Sequence, residues 1–354
     1  MSSVETIIVG AGPAGAAAAH ALSIAGHEVL LVDKAHFPRD KFCGDGLTTL
    51  CLRQLEEMDV SVSQLPSFAP VHGAVLHSPE QRRYEVPLPS GPGLFAAVAR
   101  RSELDALLVD HALAAGAQSQ FGVKVTAATP SSTGITIRTD DGQTIDAKNC
   151  IAADGMWSPM RKILGLDIDG YRGEWHAFRQ YFENVGPQAL TDLVIWFEPD
   201  VLPGYMWSFP IGGGRANVGF GILRGGHIST QDMKTLWPDL LSRPHIREVL
   251  GPDATPESPH RAWPIPARVD SVPLTGPRTL FVGDAAAACD TLTGEGIGQA
   301  LLTGRLAAQS LLANPDFASA ASSYREAVAS DLFADHKMAE FCGRLLGKEK
   351  IAEN

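Results

Sequence analysis

The run Thr6 to Lys34, TIIVGAGPAGAAAAHALSIAGHEVLLVDK, leaves a chain few ways to fold. A β-branched segment (Ile7, Ile8, Val9) stops at Gly10-Ala11-Gly12-Pro13-Ala14-Gly15, an alanine-rich segment follows, and a second apolar run ends at Asp33. The pattern predicts strand, turn, helix, strand. The three glycines serve separate ends, because the chain reverses tightly at Gly10, bare backbone admits a pyrophosphate at Gly12, and helix packs on strand at Gly15. The helix N-terminus, with Pro13 and Ala14 in its opening, then turns free N–H groups and a positive dipole end toward the phosphates. Asp33 follows Gly15 by 18 residues, close to the roughly 20 at which a carboxylate meets a ribose, and Lys34 stands beside it.

Composition limits the rest. With 354 residues, 45% hydrophobic and 19% charged, the chain has apolar material for one large or two interlocked domains. A net charge of −11 and the lack of a Lys/Arg-rich run argue against a nucleic-acid partner and against attraction of the whole molecule to an anionic membrane. The apolar stretch from Ile7 to Val32 is broken by glycines, His20, His27 and Glu28, so it reads as the phosphate turn and not as a membrane span. Glu5 and the absence of a basic segment before it predict no signal peptide and cytoplasmic residence, with any membrane contact peripheral. Five scattered cysteines without a CxxC pair support neither a disulfide framework nor a zinc site, and the eleven histidines lack ligand spacing.

Farther along, AHFPRDKFCGDGL after Lys34 is a Pro/Gly-punctuated loop, and residues 47–58 carry helical spacing. Ala74 to Leu88 reads as a two-stranded excursion around Gln81-Arg82. Arg101 to Gly116 predicts a helix with Ser102 as N-cap. Three strands, Gly122 to Ala127, Gly134 to Thr139 and Thr144 to Ala152, form a β-meander inserted in the nucleotide-binding unit. Trp175 to Leu223, rich in aromatic and β-branched residues, predicts a second, antiparallel sheet. Helices are expected at Ser229 to Leu241, Gly294 to Leu312 and Phe317 to Leu346, the last with Leu332, Met338, Phe341, Leu345 and Leu346 on one face, and a buried strand at Thr279 to Val282.

Two further motifs accompany the glycine turn. Asp154-Gly155-Met156-Trp157-Ser158-Pro159-Met160-Arg161 matches DGxxSxxR, and Gly283-Asp284 after Leu280-Phe281-Val282 matches a GD motif whose carboxylate binds the ribitol of FAD. Together they resemble the para-hydroxybenzoate hydroxylase class of flavoproteins over nearly the whole chain. Within that class, Tyr205-Met206-Trp207-Ser208-Phe209-Pro210 (YxWxFP), Asn217-Val218-Gly219-Phe220-Gly221, the loop Phe37-Pro38-Arg39-Asp40-Lys41-Phe42-Cys43-Gly44-Asp45-Gly46 and the turn Leu292-Thr293-Gly294-Glu295-Gly296-Ile297 resemble the geranylgeranyl reductase family. Thr291 stands where that family usually has proline, and the chain is short for the family, chiefly toward its C-terminal end.

The resemblance implies an α/β fold: a Rossmann-like FAD-binding domain with the inserted meander (1–70, 99–168 and 269–315), interlocked with an antiparallel-sheet substrate domain (71–98 and 169–268) and followed by C-terminal helices (316–354). It implies that Gly10, Gly12 and Gly15 cradle the FAD pyrophosphate, Asp33 holds the ribose, Arg39 and Arg101 approach the dinucleotide and Val125 meets the adenine. Asp154 and Gly155 belong to the same cofactor site, Asp284 binds ribitol, and Gly294, Gly296 and Ile297 open a helix against the flavin. Cys43 and Gly44 lie near the flavin ring, with Cys43, Tyr205 and Trp207 catalytic and Tyr205, Trp207 and Phe209 lining a pocket for an isoprenoid. The activity implied is saturation of polyprenyl double bonds, with NAD(P)H or a reduced ferredoxin or flavodoxin as electron donor, since no second dinucleotide motif exists. A flavin monooxygenase and a non-catalytic flavoprotein carrying a lipid or partner are the rival readings on the same scaffold. Gly12→Val is expected to purify without FAD, because a branched side chain occupies the pyrophosphate's place; flavin absorbance of the purified variant measures this.

Overall fold

The computed structural model describes residues 2–89 and 93–346. The predicted helical segment beyond Leu346 and positions 90–92 of the predicted substrate segment lie outside the described residues.

The opening strand, Ser2–Val9, sits at the centre of a parallel sheet, with Val29–Asp33 on one side and Thr144–Ala152 on the other. Gln118–Phe121 extends the sheet beyond Val29–Asp33, and Thr279–Phe281 beyond Thr144–Ala152. Numbered along the chain, these five parallel strands lie in the order 3-2-1-4-5. The direction of strand order reverses beside the first strand, and ligands of such sheets sit in the crevice at that switch point. Gln118–Phe121 escaped the sequence reading because an edge strand of sequence QSQF is polar and partly exposed, without the apolar run that marks an inner parallel strand.

The meander is present with a later start: its first strand is Val125–Pro130, followed by Ile135–Thr139. Gly122, at φ +79°, belongs to the turn before it. Thr144–Ala152 serves both units, its first half pairing Ile135–Thr139 and its last three residues pairing Thr279–Phe281.

The second sheet is built on Trp175–Glu183, Arg215–Leu223, Tyr205–Ile211 and Leu193–Trp196, antiparallel neighbours in that order. It is not wholly antiparallel, because Leu193–Trp196 runs parallel to Gly73–His77, the first strand of the excursion, whose second strand is Arg83–Pro87. Arg261–Ile265 adds to the other side of Trp175–Glu183. A small sheet of Gly46–Leu47, Ala97–Val98 and Ala69–Pro70 joins the two layers.

Several helix ends differ from the predicted ones. Arg101–Ala114 begins without the Ser102 cap; the side chain of Arg100 before it gives no cap, and the Arg100 amide is satisfied by Ser67 Oγ at 2.8 Å and the Arg101 amide by Asp45 Oδ1 at 3.3 Å. The helix predicted from Ser229 starts at Met233, after a turn closed by Ser229 Oγ donating to Asp232, and a further helix, Pro244–Leu250, follows. Ile297–Ala313 begins three residues after Gly294. On Phe317–Leu346 the buried stripe is Ala320, Tyr324, Val328, Leu332, His336 and Ala339, while Met338 and Phe341 are 62% and 54% exposed. At about 100° per residue those two lie about 120° and 180° around the helix from Leu332, off the stripe that continues through His336 and Ala339.

The main core is the parallel sheet against the helices Pro13–Ile24, Arg101–Ala114 and Ile297–Ala313, with Thr49–Glu57, Pro159–Ile163 and Phe317–Leu346 adding to it, and a second core lies beneath the second sheet against Met233–Ser242 and Pro244–Leu250. The tightest joint is the crossing of Pro13–Ile24 with Ile297–Ala313. A Cβ on Gly304 there would come within 2.1 Å of the Ala14 carbonyl oxygen. Gly304→Ala is therefore expected to destabilise the fold by about 1–3 kcal/mol through overpacking, read as a lowered urea midpoint, and to weaken FAD retention because Ala14 stands at the glycine turn.

Candidate functional site

A cavity of about 1130 Å³ opens where the two sheets face each other. Single small-molecule pockets measure roughly 300–1000 Å³, so there is room for a dinucleotide and more.

One arm starts at the glycine turn. Gly10 takes φ +104°, and any Cβ there would lie 2.2 Å from the Ala153 carbonyl oxygen. At Gly12 a Cβ would face only the Arg39 guanidinium at 3.6 Å, so bare backbone borders open space. The helix Pro13–Ile24 begins there with no side-chain cap, leaving its first N–H groups to a ligand. Gly15 does not border the cavity. A Cβ on it would come 1.8 Å from the Gly10 carbonyl oxygen, so the helix packs on the turn through its bare face, as the spacing predicted. Asp33 is oriented by the glycine turn and its own loop, its two oxygens accepting from the Ala11 and Ala35 amides at 2.7 and 2.8 Å, and it lines the cavity with Lys34 and Val125.

Arg39 and Arg101 meet on a carboxylate that the sequence reading overlooked. Asp105, without solvent exposure, accepts Arg39 Nη1 at 2.9 Å and a two-pronged bond from Arg101 Nε and Nη2 at 2.7 and 2.9 Å. The i,i+4 spacing of Arg101 and Asp105 on one helix was the available signal.

The loop Asp40–Gly46 crosses from this arm to the second sheet. Its Asp45 is fully buried at φ +64° and accepts from Tyr181 Oη at 2.6 Å, Asn217 Nδ2 at 2.9 Å and the Arg101 amide at 3.3 Å. Burial raises the Asp45 pKa, and Arg179 opposes the shift. Arg179, 2% exposed, donates to the carbonyls of Cys43 and Lys41 at 3.3 and 3.2 Å and to Asp40 at 3.0 Å. Burial also raises the Cys43 pKa, so this cavity-lining residue is a protonated thiol and not a thiolate nucleophile. Arg179 did not stand out in sequence, since a lone arginine in an aromatic strand carries no spacing signal, and Asp45 was quoted within its loop motif without a role.

The DG and GD motifs close the far side. Asp154 turns its oxygens to Ser158 Oγ at 2.7 Å and the Met160 amide at 2.8 Å, bracing the turn in which Gly155 lines the cavity. Arg161 ties this turn to the next motif, donating to the Ala285 and Pro273 carbonyls at 2.6 and 2.7 Å. Asp284 faces the cavity, 3.9 Å from Lys41 Nζ, with Cys289 Sγ donating at 3.5 Å. Gly294, Gly296 and Ile297 also line it, and Gly296 opens the helix Ile297–Ala313 without a side-chain cap. The 291–293 turn is latched to the second sheet: Trp175 Nε1 donates to the Thr291 carbonyl at 2.9 Å and Tyr205 Oη to that of Thr293.

The other arm is apolar. Period two puts Tyr205, Trp207 and Phe209 on the cavity face, ring centroids 6.0 and 6.1 Å apart, while Met206 and Ser208 are fully buried on the opposite face. Register aligns Tyr205 with Gly221, Gly221 with Ala177, and Ala177 with Trp263. All four line the cavity, so two aromatic walls flank a floor of glycine and alanine. Among the described residues no group of three side chains could hold a metal ion.

Residues 3–313 match a family described as "FAD binding domain". The chain is 36% identical over 327 residues to menaquinone reductase of Mycolicibacterium smegmatis, an alignment covering 86% of this chain and 75% of that one. It is 32% identical over 323 residues to digeranylgeranylglycerophospholipid reductase 1 of Methanopyrus kandleri, covering 86% and 79%. In fold it is similar to a crystal structure of a geranylgeranyl bacteriochlorophyll reductase-like protein from Thermoplasma acidophilum, with TM-score 0.86, 22% identity and 100% and 90% of the two chains covered.

Asp154 supplies a pH test. Burial pushes its pKa up to about 6, against the bonds from Met160 and Ser158 that favour its charged form; the unfolded value is about 3.9. The folded state therefore binds this proton more tightly, and the stabilisation it gives is full below about pH 4 and lost as pH rises through 6. The stability difference between wild type and Asp154→Asn, from urea titrations at pH 5.0 and 7.5, is expected to move in favour of wild type by about 1 kcal/mol at the lower pH.

Proposed function

From the premise that the chain belongs to the geranylgeranyl reductase family of FAD-dependent oxidoreductases, we propose that it saturates one or more carbon–carbon double bonds of a polyprenyl chain, free, lipid-linked or attached to a quinone. The observation that carries this reading is the continuity of a phosphate cradle with an apolar, aromatic-walled groove inside one cavity.

The residues fit FAD. Gly10 and Gly12 leave backbone bare where a pyrophosphate needs it, and the uncapped helix after them supplies N–H donors. Asp33 takes the adenosine ribose, Val125 borders the adenine, and Arg39, Arg101 and Lys34 serve the charged middle. Asp284 takes the ribitol, while Gly155, Gly294, Gly296 and Ile297 shape the ring end, beside Cys43 and Gly44. In this reading segments 1–70, 99–168 and 269–315 build the cofactor unit, and 71–98 and 169–268 the substrate unit.

When bound, FAD supplies the hydride; NAD(P)H, reduced ferredoxin or reduced flavodoxin replenishes it. The chain's own part is to seat the alkene. Tyr205, Trp207 and Phe209 form the wall along which the isoprenoid lies, and Gly221 and Ala177 the floor. The wall offers no charge to polarise a double bond, so alignment and exclusion of water carry the rate. The Cys43 thiol holds a proton at the cavity face, where saturation requires one in addition to the hydride.

Reduction with dithionite in an anaerobic cuvette followed by geranylgeranyl diphosphate, or by a menaquinone with a polyprenyl tail, is expected to reoxidise the flavin with a saturated product. Reoxidation by oxygen alone, coupled to a hydroxylated product, would replace the reading with a monooxygenase. Gly221→Leu, filling the floor, tests the groove. Each buried methylene contributes about 0.8 kcal/mol, so displacing two raises KM for a twenty-carbon chain about tenfold while a ten-carbon chain is spared. Steady-state kinetics over a prenyl-length series reads the difference, and a uniform loss would place Gly221 outside the chain-binding groove.

A further inference from the structure

Asn217 lies on the cavity-facing sheet and has no solvent exposure. Its side-chain oxygen accepts Trp207 Nε1 at 3.0 Å, and its amide nitrogen donates to the Cys43 carbonyl and to Asp45 Oδ2, both at 2.9 Å. The orientation of the amide is unambiguous. Flipping it would set its oxygen against a carbonyl and a carboxylate and its NH2 against the indole N–H, leaving every contact between like partners.

The neighbours of this amide make Trp207 part of the loop. Two residues along the strand, Gly219 has no Cβ, and one placed there would come 2.3 Å from Trp207 Cζ2, so the indole lies flat on bare backbone and reaches Asn217. On the loop side a Cβ on Gly44 would stand 3.6 Å from Phe209 and 3.8 Å from Trp207, an ordinary packing distance. The wall ring is thus seated by Gly219, tied by Asn217 and packed on Gly44, one residue from Cys43.

We propose that Asn217 is a positioning residue that holds the Trp207 wall in register with the Cys43 loop, so that a chain lying on the wall and the cavity face of Cys43 keep one relative geometry. The assignment rests on the isoprenoid-reductase reading for its effect on turnover. The link itself is a property of the fold. Leucine in place of Asn217 would leave the indole N–H without its acceptor and the Cys43 carbonyl and Asp45 without one donor each.

The test compares Trp207→Phe, Asn217→Ala and the double variant as FAD-loaded proteins of confirmed flavin content. Trp207→Phe keeps a ring on the wall while removing the donated bond and some of the indole's packing on Gly219, so it remains informative if Asn217→Ala folds poorly. The first measurement is alkylation of Cys43 by iodoacetamide, followed by mass spectrometry against the half-buried Cys342 as internal reference. Labelling of Cys43 is expected to rise severalfold in each single variant and no further in the double, because neighbours sharing one link are not additive. The second is anaerobic turnover of geranylgeranyl diphosphate: kcat is expected to fall on the order of tenfold to a hundredfold with KM little changed, the pattern of misalignment. Unchanged labelling and unchanged kcat in Trp207→Phe would overturn the assignment, as would additive effects in the double variant. If wild type turns over no prenyl chain while the labelling result holds, the link stands and the substrate reading has failed.

Discussion

Burial of the Asp45 carboxylate is the constraint on which the rest of the site depends. A carboxylate withdrawn from water costs several kcal/mol unless its oxygens are bonded, and Asp45 draws its partners from three parts of the chain: Tyr181 and Asn217 on the second sheet, and the Arg101 amide at the start of a helix of the cofactor unit. Satisfying one group therefore requires both sheets and the intervening loop to be in place together. The left-handed backbone of Asp45 at φ +64° is tolerated for the same reason, since the surrounding bonds over-determine it. Arg179 completes the arrangement. Its guanidinium stacks 4.0 Å over Tyr181 and donates to the loop's carbonyls, so a buried cation balances the buried anion across the face of an aromatic ring.

This interlocking explains what could be read from the sequence. The cofactor unit was legible because its requirements are local: a glycine at positive φ, a bare Gly12, an acid at the end of the next strand. The wall was legible because alternation along Tyr205–Ile211 is also local. What stayed hidden is the set of charges that join the units. Arg179 and Asp45 meet their partners through separations of 56 to 172 residues with no common periodicity. The edge strand Gln118–Phe121 was hidden for another reason: a strand completing a sheet at its rim needs backbone partners more than apolar side chains, and polar residues suffice. Met338 and Phe341 erred in the opposite direction, since they are apolar yet lie around the helix from the stripe Leu332, His336 and Ala339 that faces the core.

The Thr291 departure from the resembling family has a plain structural setting. The contact made at that position is through the carbonyl, which accepts Trp175 Nε1, and a carbonyl is available whatever the side chain. The turn is further fixed by Asp290, whose Oδ1 accepts from the Leu292 and Thr293 amides at 3.0 and 2.7 Å. Proline's usual service, a restricted backbone, is thus supplied here by an aspartate turn and two latches from the second sheet.

Two of the helices that border the cavity, Pro13–Ile24 and Ile297–Ala313, begin at a glycine that supplies no side-chain cap. Ordinary helices satisfy their first N–H groups with a serine, threonine or aspartate; at Pro13–Ile24 those donors are left to a ligand carrying negative charge, while at Ile297–Ala313 the Glu295 carboxylate meets the Gly298 amide. A dinucleotide has such charge at its pyrophosphate, and a flavin acquires it at the ring on reduction. The electrostatic help is bounded: a helix terminus contributes about 0.3–2 kcal/mol, and about 1.4 kcal/mol corresponds to about 30 mV for a two-electron couple. Tens of millivolts adjust a reduction potential without making an unactivated alkene reactive. Effective molarities for well-oriented partners are worth about 7–11 kcal/mol, several times more, and in the proposed reductase that geometry is the part assigned to Trp207, Asn217 and the loop they fasten. On that proposal the polar network beneath the wall matters through alignment more than through the charge of Asp45 within it.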